Sequence, residues 1–224
     1  MIQNKKDRHR YYGLYEAYFK RAFDCIAAGA ALIGLSPLLL VIALLVYFKL
    51  GSPVLFVQER PGKGEKIFKL YKFRTMSDAR DENGNLLPDS QRLPLFGRML
   101  RSTSLDELPE LFNILRGEMS FIGPRPFVKQ YLPYYTKKER HRHDVRPGLS
   151  GLAQIHGRND LGWEERFQYD LQYVNHITLC TDIKIAVRTI QKVIQREHIC
   201  VRGEGTLMDF DLYRKRQLEE KKQP

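Results

Sequence analysis

The chain has 224 residues, enough for one domain with a hydrophobic core, and carries 37 Lys and Arg against 26 Asp and Glu, a formal charge of +11. Such an excess calls for an anionic partner: nucleic acid, acidic lipid or a phosphorylated substrate. The three cysteines, Cys25, Cys180 and Cys200, lack C-x-x-C spacing, which argues against a disulfide framework or a zinc site and for a reducing compartment.

Residues 25–48 carry no charge. At about 1.5 Å of rise per residue such a run reaches about 36 Å, enough to cross a hydrocarbon core of roughly 30 Å. It starts too late and runs too long for a signal peptide, and no A-x-A-like exit precedes Lys49. A buried core helix is the alternative for a soluble protein. Ser36-Pro37 lies at the middle of the run. Proline lacks an amide donor and clashes with the carbonyl four residues back, which predicts a kink. Ser36 can bond a carbonyl freed by the break. Lys5, Lys6, Arg8, Arg10, Lys20 and Arg21 precede the run, and Lys49, Arg60, Lys63, Lys66, Lys69 and Lys72 follow it. Positive flanks tend to stay in the cytoplasm. A helix that bends at Ser36-Pro37 and returns to the same face satisfies both ends, ahead of an ordinary kinked span.

Downstream, Gly51-Ser52-Pro53 reads as a turn and Val54-Leu55-Phe56-Val57 as a short strand. Pro61-Gly62-Lys63-Gly64 makes a second turn before residues 67–73, where apolar and basic side chains partly alternate as in a strand. Residues 77–91 are polar, with Gly84 and Pro88, and read as a mobile loop; acidic ligands at EF-hand offsets from Gly84 are missing. Residues 93–100 and 182–196 read as basic amphipathic helices. Leu93, Phe96, Met99 and Leu100 share a face of the first; Ile183, Ala186, Val187, Ile190, Val193 and Ile194 share a face of the second. Each stripe can face a protein core or lie in a membrane interface. Residues 214–224 are mostly charged and predict a solvated, frayed end.

Residues 101–113 open a further helix. Ser104 and Glu107 stand at capping-box spacing, Leu108, Leu111, Phe112 and Leu115 give the apolar face, and Gly117 suits a left-handed residue past its end. Read alone, Asp106-Glu107 needs no role beyond a first turn, where the helix dipole favours carboxylates. The surroundings add another reading. Arg101 precedes the pair, Pro124 and Pro126 restrict the backbone around Arg125, and Arg146-Pro147-Gly148-Leu149-Ser150-Gly151 offers a second rigid turn with an arginine. Carboxylates beside fixed cations suit phosphoryl chemistry, by attack on phosphorus or by binding Mg²⁺. Neither a P-loop nor a G-x-G-x-x-G fingerprint is present. His141-Arg142-His143 lacks further ligands at metal spacing and reads as a solvated segment.

Five motifs now stand in order: Ser36-Pro37 in the apolar helix, Lys72-Phe73-Arg74-Thr75-Met76, Arg101-Ser102-Thr103-Ser104-Leu105-Asp106-Glu107-Leu108-Pro109, Gly123-Pro124-Arg125-Pro126 and Arg146-Pro147-Gly148-Leu149-Ser150-Gly151. In these, the chain resembles the bacterial sugar transferases that form the monotopic phosphoglycosyl transferase family, from about residue 19 to about residue 196. The resemblance implies a re-entrant membrane helix and a catalytic domain on the cytoplasmic face of the bacterial inner membrane. It implies transfer of a C1-phosphosugar from a UDP-sugar to undecaprenyl phosphate, with release of UMP and a requirement for Mg²⁺. By position, Asp106 would be the nucleophile of a covalent phosphosugar intermediate and a Mg²⁺ contact, and Glu107 would help deprotonate the incoming lipid phosphate. Lys72, Arg101, Arg125 and, more weakly, Arg146 match basic positions around the phosphates.

The expected architecture is α+β and mainly helical. A basic segment (1–21) precedes the re-entrant helix (22–49); a catalytic domain (50–200) follows, with interfacial amphipathic helices and a small β element, and then a polar tail (201–224). With only about twenty residues before the insert, the chain resembles the small stand-alone form of the family, without an N-terminal transmembrane bundle. Anionic membrane lipids and downstream glycosyltransferases are the further expected partners, and nucleic acid is not expected, because the charge is spread and no nucleic-acid-binding motif is present. The region from Ile155, including Arg158, Asn159 and Trp163, carries no assigned role, and the sugar is unassigned. Two rival readings use the same residues: a membrane phosphatase or hydrolase with Asp106 as nucleophile, and a non-enzymatic basic scaffold tethered to acidic lipid.

Overall fold

Residues 13–157, 161–195 and 208–220 are described by a computed structural model of the chain. The apolar run forms two helices instead of one. A π-helical turn, Tyr15–Phe19, leads into α1, Lys20–Gly34; Leu35 breaks the path, and α2, Ser36–Leu50, departs at 64°. Pro37 sits in the first turn of α2, where its missing amide is tolerated. The Ser36 hydroxyl donates to Ile33 O at 2.7 Å and covers a carbonyl left at the end of α1. Among the described residues no single helix is long and apolar enough to cross a membrane, although the bent pair reaches that length and composition together.

Polar side chains at the start of α1 fasten the bent pair to the rest of the chain. Asp24, the charge nearest the apolar run, is buried and accepts from Ser120 Oγ at 2.7 Å. Asp182 accepts from Lys20 Nζ at 2.5 Å and from the hydroxyls of Tyr15 and Tyr173, each at 2.8 Å.

Strands β1 (Leu55–Pro61) and β2 (Ile67–Phe73) form an antiparallel hairpin with Leu55 opposite Phe73 and Pro61 opposite Ile67. β2 occupies the residues expected from its alternation. β1 runs four residues past the expected end, because pairing with β2 carries Gln58, Glu59 and Arg60 without an apolar pattern of their own. The polar stretch after β2, expected as a loop, contains a turn, an isolated bridge and one short helix. Asp81 Oδ1 accepts from the amides of Asn83 and Asn85, Arg80 bridges to Leu86, and α3 spans Asp89–Arg92. Helix α4, Leu95–Ser102, buries Leu100 while Leu95 and Met99 stay exposed.

The capping box expected at Ser104 and Glu107 does not form. Ser104 is left-handed (φ 56°) and caps nothing; Leu105–Glu107 makes one 3₁₀ turn, and helix α5, Glu110–Arg116, begins only after Pro109. Proline belongs at a helix start, and the Glu107 carboxylate is drawn to two cations instead of a backbone amide. Gly117, left-handed at φ 84°, ends α5 as its sequence position predicts.

A second, parallel pair, β3 (Ser120–Ile122) and β4 (Gly148–Ser150), was not foreseen. Its strands approach so closely that a Cβ on Gly148 would lie 2.1 Å from Gly123 N. The remaining helices are α6 (Lys137–Arg140), α7 (Leu152–His156), α8 (Trp163–Asn175), α9 (Leu179–Gln195) and α10 (Phe210–Glu220). Of the expected α9 stripe, Ile183, Val187 and Ile190 are exposed, while Ile185, outside that stripe, is fully buried. Arg196, expected to end this helix, lies outside the described residues.

Two expectations of solvation are overturned. In the segment 141–143, Arg142 and His143 are buried; Arg142 pairs with Asp170 of α8 at 2.7 Å and stacks 4.3 Å above the Phe127 ring. That counter-charge lies 28 positions away in sequence. At the C-terminal end, α10 is docked: Phe210 is fully buried against Tyr131, Tyr135, Trp163 and Phe167, and Arg214 pairs with Glu139.

Candidate active site

A cavity of about 1300 Å³ opens between the hairpin, the 105–107 turn, the 125 loop and α9. Asp106 and Glu107 both line it, as do Lys72, Arg101 and Arg125. The turn that carries the two carboxylates is held on both sides by apolar contacts. Leu105 and Leu108 pack on the cluster of Ile42, Val46, Phe73 and Leu100, which ties the turn to α2.

The two carboxylates face different surroundings. Glu107 Oε1 accepts from Lys72 Nζ at 2.6 Å and from an Arg125 guanidinium nitrogen at 2.7 Å. Burial alone would raise the Glu107 carboxyl, but the charges and hydrogen bonds of Arg125 and Lys72 reverse this and hold it well below the usual carboxylate range. Asp106 makes no hydrogen bond or ion pair with any described residue. Burial, with the neighbouring charge of Glu107, pushes its carboxyl up to about 6, against opposition from Lys72, Arg101 and Arg125. One carboxylate is held as an anion by two cations, and the other carries no hydrogen bond from a described residue.

A third carboxylate, not singled out in the sequence, lies behind this pair. Glu110 is buried and reaches Lys72 Nζ at 3.2 Å without lining the cavity. Burial raises it to about 7, with Lys72 opposing. Lys72 is thus shared by two acids. Burial disfavours its charge, but Glu107 and Glu110 outweigh that, and its ammonium stays protonated. Glu110 stands four positions after Asp106, a spacing that could have flagged it on a helical face, but its contact with β2 is tertiary.

The cations are placed by the scaffold. Arg101 Nε donates to Thr75 Oγ1 at 3.0 Å, and no described carboxylate pairs with its guanidinium. The Arg125 loop is pinned from beneath, because buried Arg142 donates to Arg125 O at 2.7 Å while bonded to Asp170. Arg146 is placed elsewhere: it does not line the cavity, and its Nε donates to Gly117 O at 2.9 Å. Trp163 also lies away from the cavity, in the aromatic cluster, with Nε1 donating to Met208 O. Arg158 and Asn159 are outside the described residues. Among the described residues no three His, Cys, Asp or Glu side chains converge as a metal cluster. A hard divalent ion held by one or two carboxylates and completed by substrate phosphates would need only Asp106 and a neighbour, and the unbonded Asp106 oxygens fit that role.

Comparison with known proteins places the chain in a family. A family profile described as bacterial sugar transferase matches residues 15–196. The chain is 49% identical over 180 residues to the uncharacterized sugar transferase EpsL of Bacillus subtilis (strain 168), spanning 80% of this chain and 89% of that protein. It is 41% identical over 191 residues to the exopolysaccharide production protein ExoY of Rhizobium meliloti (strain 1021), spanning 78% and 84%. A longer relative, the UDP-glucose:undecaprenyl-phosphate glucose-1-phosphate transferase of Xanthomonas campestris pv. campestris, is 39% identical over 204 residues, which span 86% of this chain and 41% of that protein. The matched stretch runs from the π-helical turn before the insert to the end of α9 and takes in every residue of the Asp106 site, and the chain belongs to the bacterial sugar transferase family.

Proposed function

We propose that this chain transfers a C1-phosphosugar from a UDP-sugar to undecaprenyl phosphate at the cytoplasmic face of the bacterial inner membrane. The observation that carries the reading is the unbonded Asp106 carboxylate in a large cavity beside Lys72, Arg101 and Arg125. The names of the longer relatives, which specify UDP-glucose and undecaprenyl phosphate, support the same substrate classes.

In the first half-reaction an Asp106 oxygen attacks the sugar-bearing phosphorus, the diphosphate bridge breaks, and UMP leaves with the bridging oxygen. In the second, a phosphate oxygen of the lipid attacks the same phosphorus and releases the Asp106 carboxylate. The cations meet the charge that builds on the phosphoryl oxygens. Glu107 is a weak proton acceptor, since two cations keep it ionised; it serves to aim Lys72 and Arg125 at the substrate. Mg²⁺, bound through Asp106, would neutralise diphosphate oxygens. The bent insert, basic at both flanks, suits a re-entrant anchor among anionic lipids, and downstream glycosyltransferases would receive the lipid product.

The test measures UMP release with and without undecaprenyl phosphate, across a panel of UDP-sugars, with intact-mass detection of the adduct. Without acceptor, one UMP per protein and one phosphosugar adduct are expected, both lost in Asp106→Ala. Continued UMP release without acceptor would mean hydrolysis, and an adduct surviving in Asp106→Ala would assign another nucleophile.

A further inference from the structure

Strand β1 departs from the pattern of a half-buried hairpin. Its first three residues, Leu55, Phe56 and Val57, are all apolar and exposed by 39, 48 and 45%. Successive strand residues point to opposite faces, so this end of the hairpin is apolar on both. The continuation, Gln58-Glu59-Arg60, is polar. The apolar end is the one that follows α2, which ends at Leu50.

Its position is set by register. Phe56 pairs with Lys72 across the ladder, and directly opposite residues share a face with Cβ atoms about 5 Å apart. Lys72 Nζ in turn holds Glu107 at 2.6 Å. An exposed aromatic ring therefore stands beside the cation of the dyad. Leu55, Phe56, Val57, Leu105 and Leu108 all line the Asp106 cavity, and Leu105 and Leu108 pack on the cluster built on Ile42 and Val46 of α2. The cavity thus joins apolar side chains of β1 and of the 105–108 turn to Asp106 and the cations Lys72, Arg101 and Arg125. A ligand matching that sequence of surfaces is hydrocarbon at one end and phosphate at the other.

We propose that Leu55, Phe56 and Val57 seat the first isoprene units of the acceptor lipid and lead its phosphate to Lys72 and Asp106. This rests on the transferase reading above and adds to it the route of the second substrate. A sugar nucleotide offers nothing to match the aliphatic Leu55 and Val57; its uracil ring could occupy only the place beside Phe56. The lipid and nucleotide assignments separate because the first half-reaction needs no lipid.

The experiment uses the full chain in detergent micelles with the UDP-sugar that gives the largest burst, comparing Phe56→Gln with the unmodified protein. The acceptor-free UMP burst, its rate and its dependence on UDP-sugar should stay within about twofold. The KM for undecaprenyl phosphate should rise about tenfold, equivalent to about 1.4 kcal/mol. Leu55→Gln and Val57→Gln should show the same split, and they replace Phe56→Gln if that variant folds poorly. A burst that weakens in its UDP-sugar dependence would place the nucleotide on this strand and overturn the proposal. An unchanged KM for undecaprenyl phosphate in all three variants would overturn it as well. Failure of the transferase reading looks different: the unmodified protein would then give no acceptor-dependent UMP release at all.

Discussion

Lys72→Met tests the electrostatics of the site most directly, because it keeps an aliphatic stem while removing the ammonium shared by Glu107 and Glu110. Losing one member of such a largely buried cluster should destabilise the fold by on the order of 3 kcal/mol. The catalytic consequence is separate and has a definite sign. Lys72 is the foremost cation opposing the upward shift of Asp106, whose carboxyl lies at about 6. Removing an opposite charge at close range raises a carboxyl by about one unit or more. With a one-unit rise, the ionised fraction of Asp106 at pH 6 falls from about one half to about one tenth, whereas at pH 8 it barely changes. Attack needs the ionised form, so the acid limb of the burst rate should move from near pH 6 to near pH 7. The extra loss is about fivefold at pH 6, on top of any pH-independent loss from weaker phosphate contact. Rapid-quench measurement of the UMP burst between pH 5 and 8.5, each profile normalised to its own plateau, reads this shift. A normalised profile that stays in place or moves to lower pH would refute the assignment of Lys72 as the group that keeps Asp106 ionised.

Glu110→Gln should change stability in a pH-dependent way. The folded carboxyl is raised from 4.5 to about 7, so the unmodified protein loses stability relative to the variant as pH rises between those values. The melting temperature of Glu110→Gln, compared with the unmodified protein, should therefore be more favourable at pH 8 than at pH 5; an equal offset at both would show that Glu110 does not titrate in this window. Gly97→Ala would place a Cβ 1.9 Å from Thr75 O, forcing apart α4 and the residue that holds Arg101. A burst rate lowered about tenfold or more, beyond any change in melting temperature, is the expected result. Arg142→Met strips the partner from buried Asp170 and should cost about 3–5 kcal/mol in denaturation experiments; an Asp170→Leu companion should recover part of it. If Arg142→Met unfolds like the unmodified protein, the pair does not anchor the Arg125 loop.

The sequence was most informative where local physics decides the outcome. A proline in an apolar run predicts a kink or a break, and α1 and α2 part beside Ser36-Pro37. Alternation located β2, and a glycine needing positive φ located the end of α5. The misreadings are tertiary. Ser104 and Glu107 have capping-box spacing, but Glu107 finds Lys72 from β2 and Arg125 from the loop after β3, which compete for the carboxylate that the box requires. His141-Arg142-His143 looks like surface until Asp170 supplies a counter-ion. The polar 214–220 stretch looks like a tail until Phe210, just upstream, enters the aromatic cluster. Within the site, the motif residues Lys72, Arg101, Asp106, Glu107 and Arg125 meet in one cavity while Arg146 serves the end of α5. Glu110 lay hidden because nothing in the primary structure says which side of α5 faces β2.

The contacts of the bent pair α1–α2 argue against treating it as a detachable element. Arg21, at the start of α1, donates to the carbonyls of Ile114 and Leu115 at 2.6 and 2.8 Å, satisfying groups that the last turn of α5 leaves open. Ala28 of α1 is fully buried with Leu111 and Ile114 of α5, and α2 carries Leu105 and Leu108 on its Ile42 and Val46 face. The Asp106 turn is thus gripped at both ends by different halves of the broken helix: the 105–108 side by α2 and the helix that follows it by α1. The angle at Leu35 sets the relation between those two grips. A straight helix would carry them apart along its axis by about 1.5 Å per residue. Straightening the insert should therefore disturb Asp106 even if the protein stays in the membrane. In Pro37→Ala the UMP burst should fall while membrane association, followed by flotation, is retained. A burst unchanged in a variant shown by flank labelling to have straightened would mean that the bend serves anchoring alone.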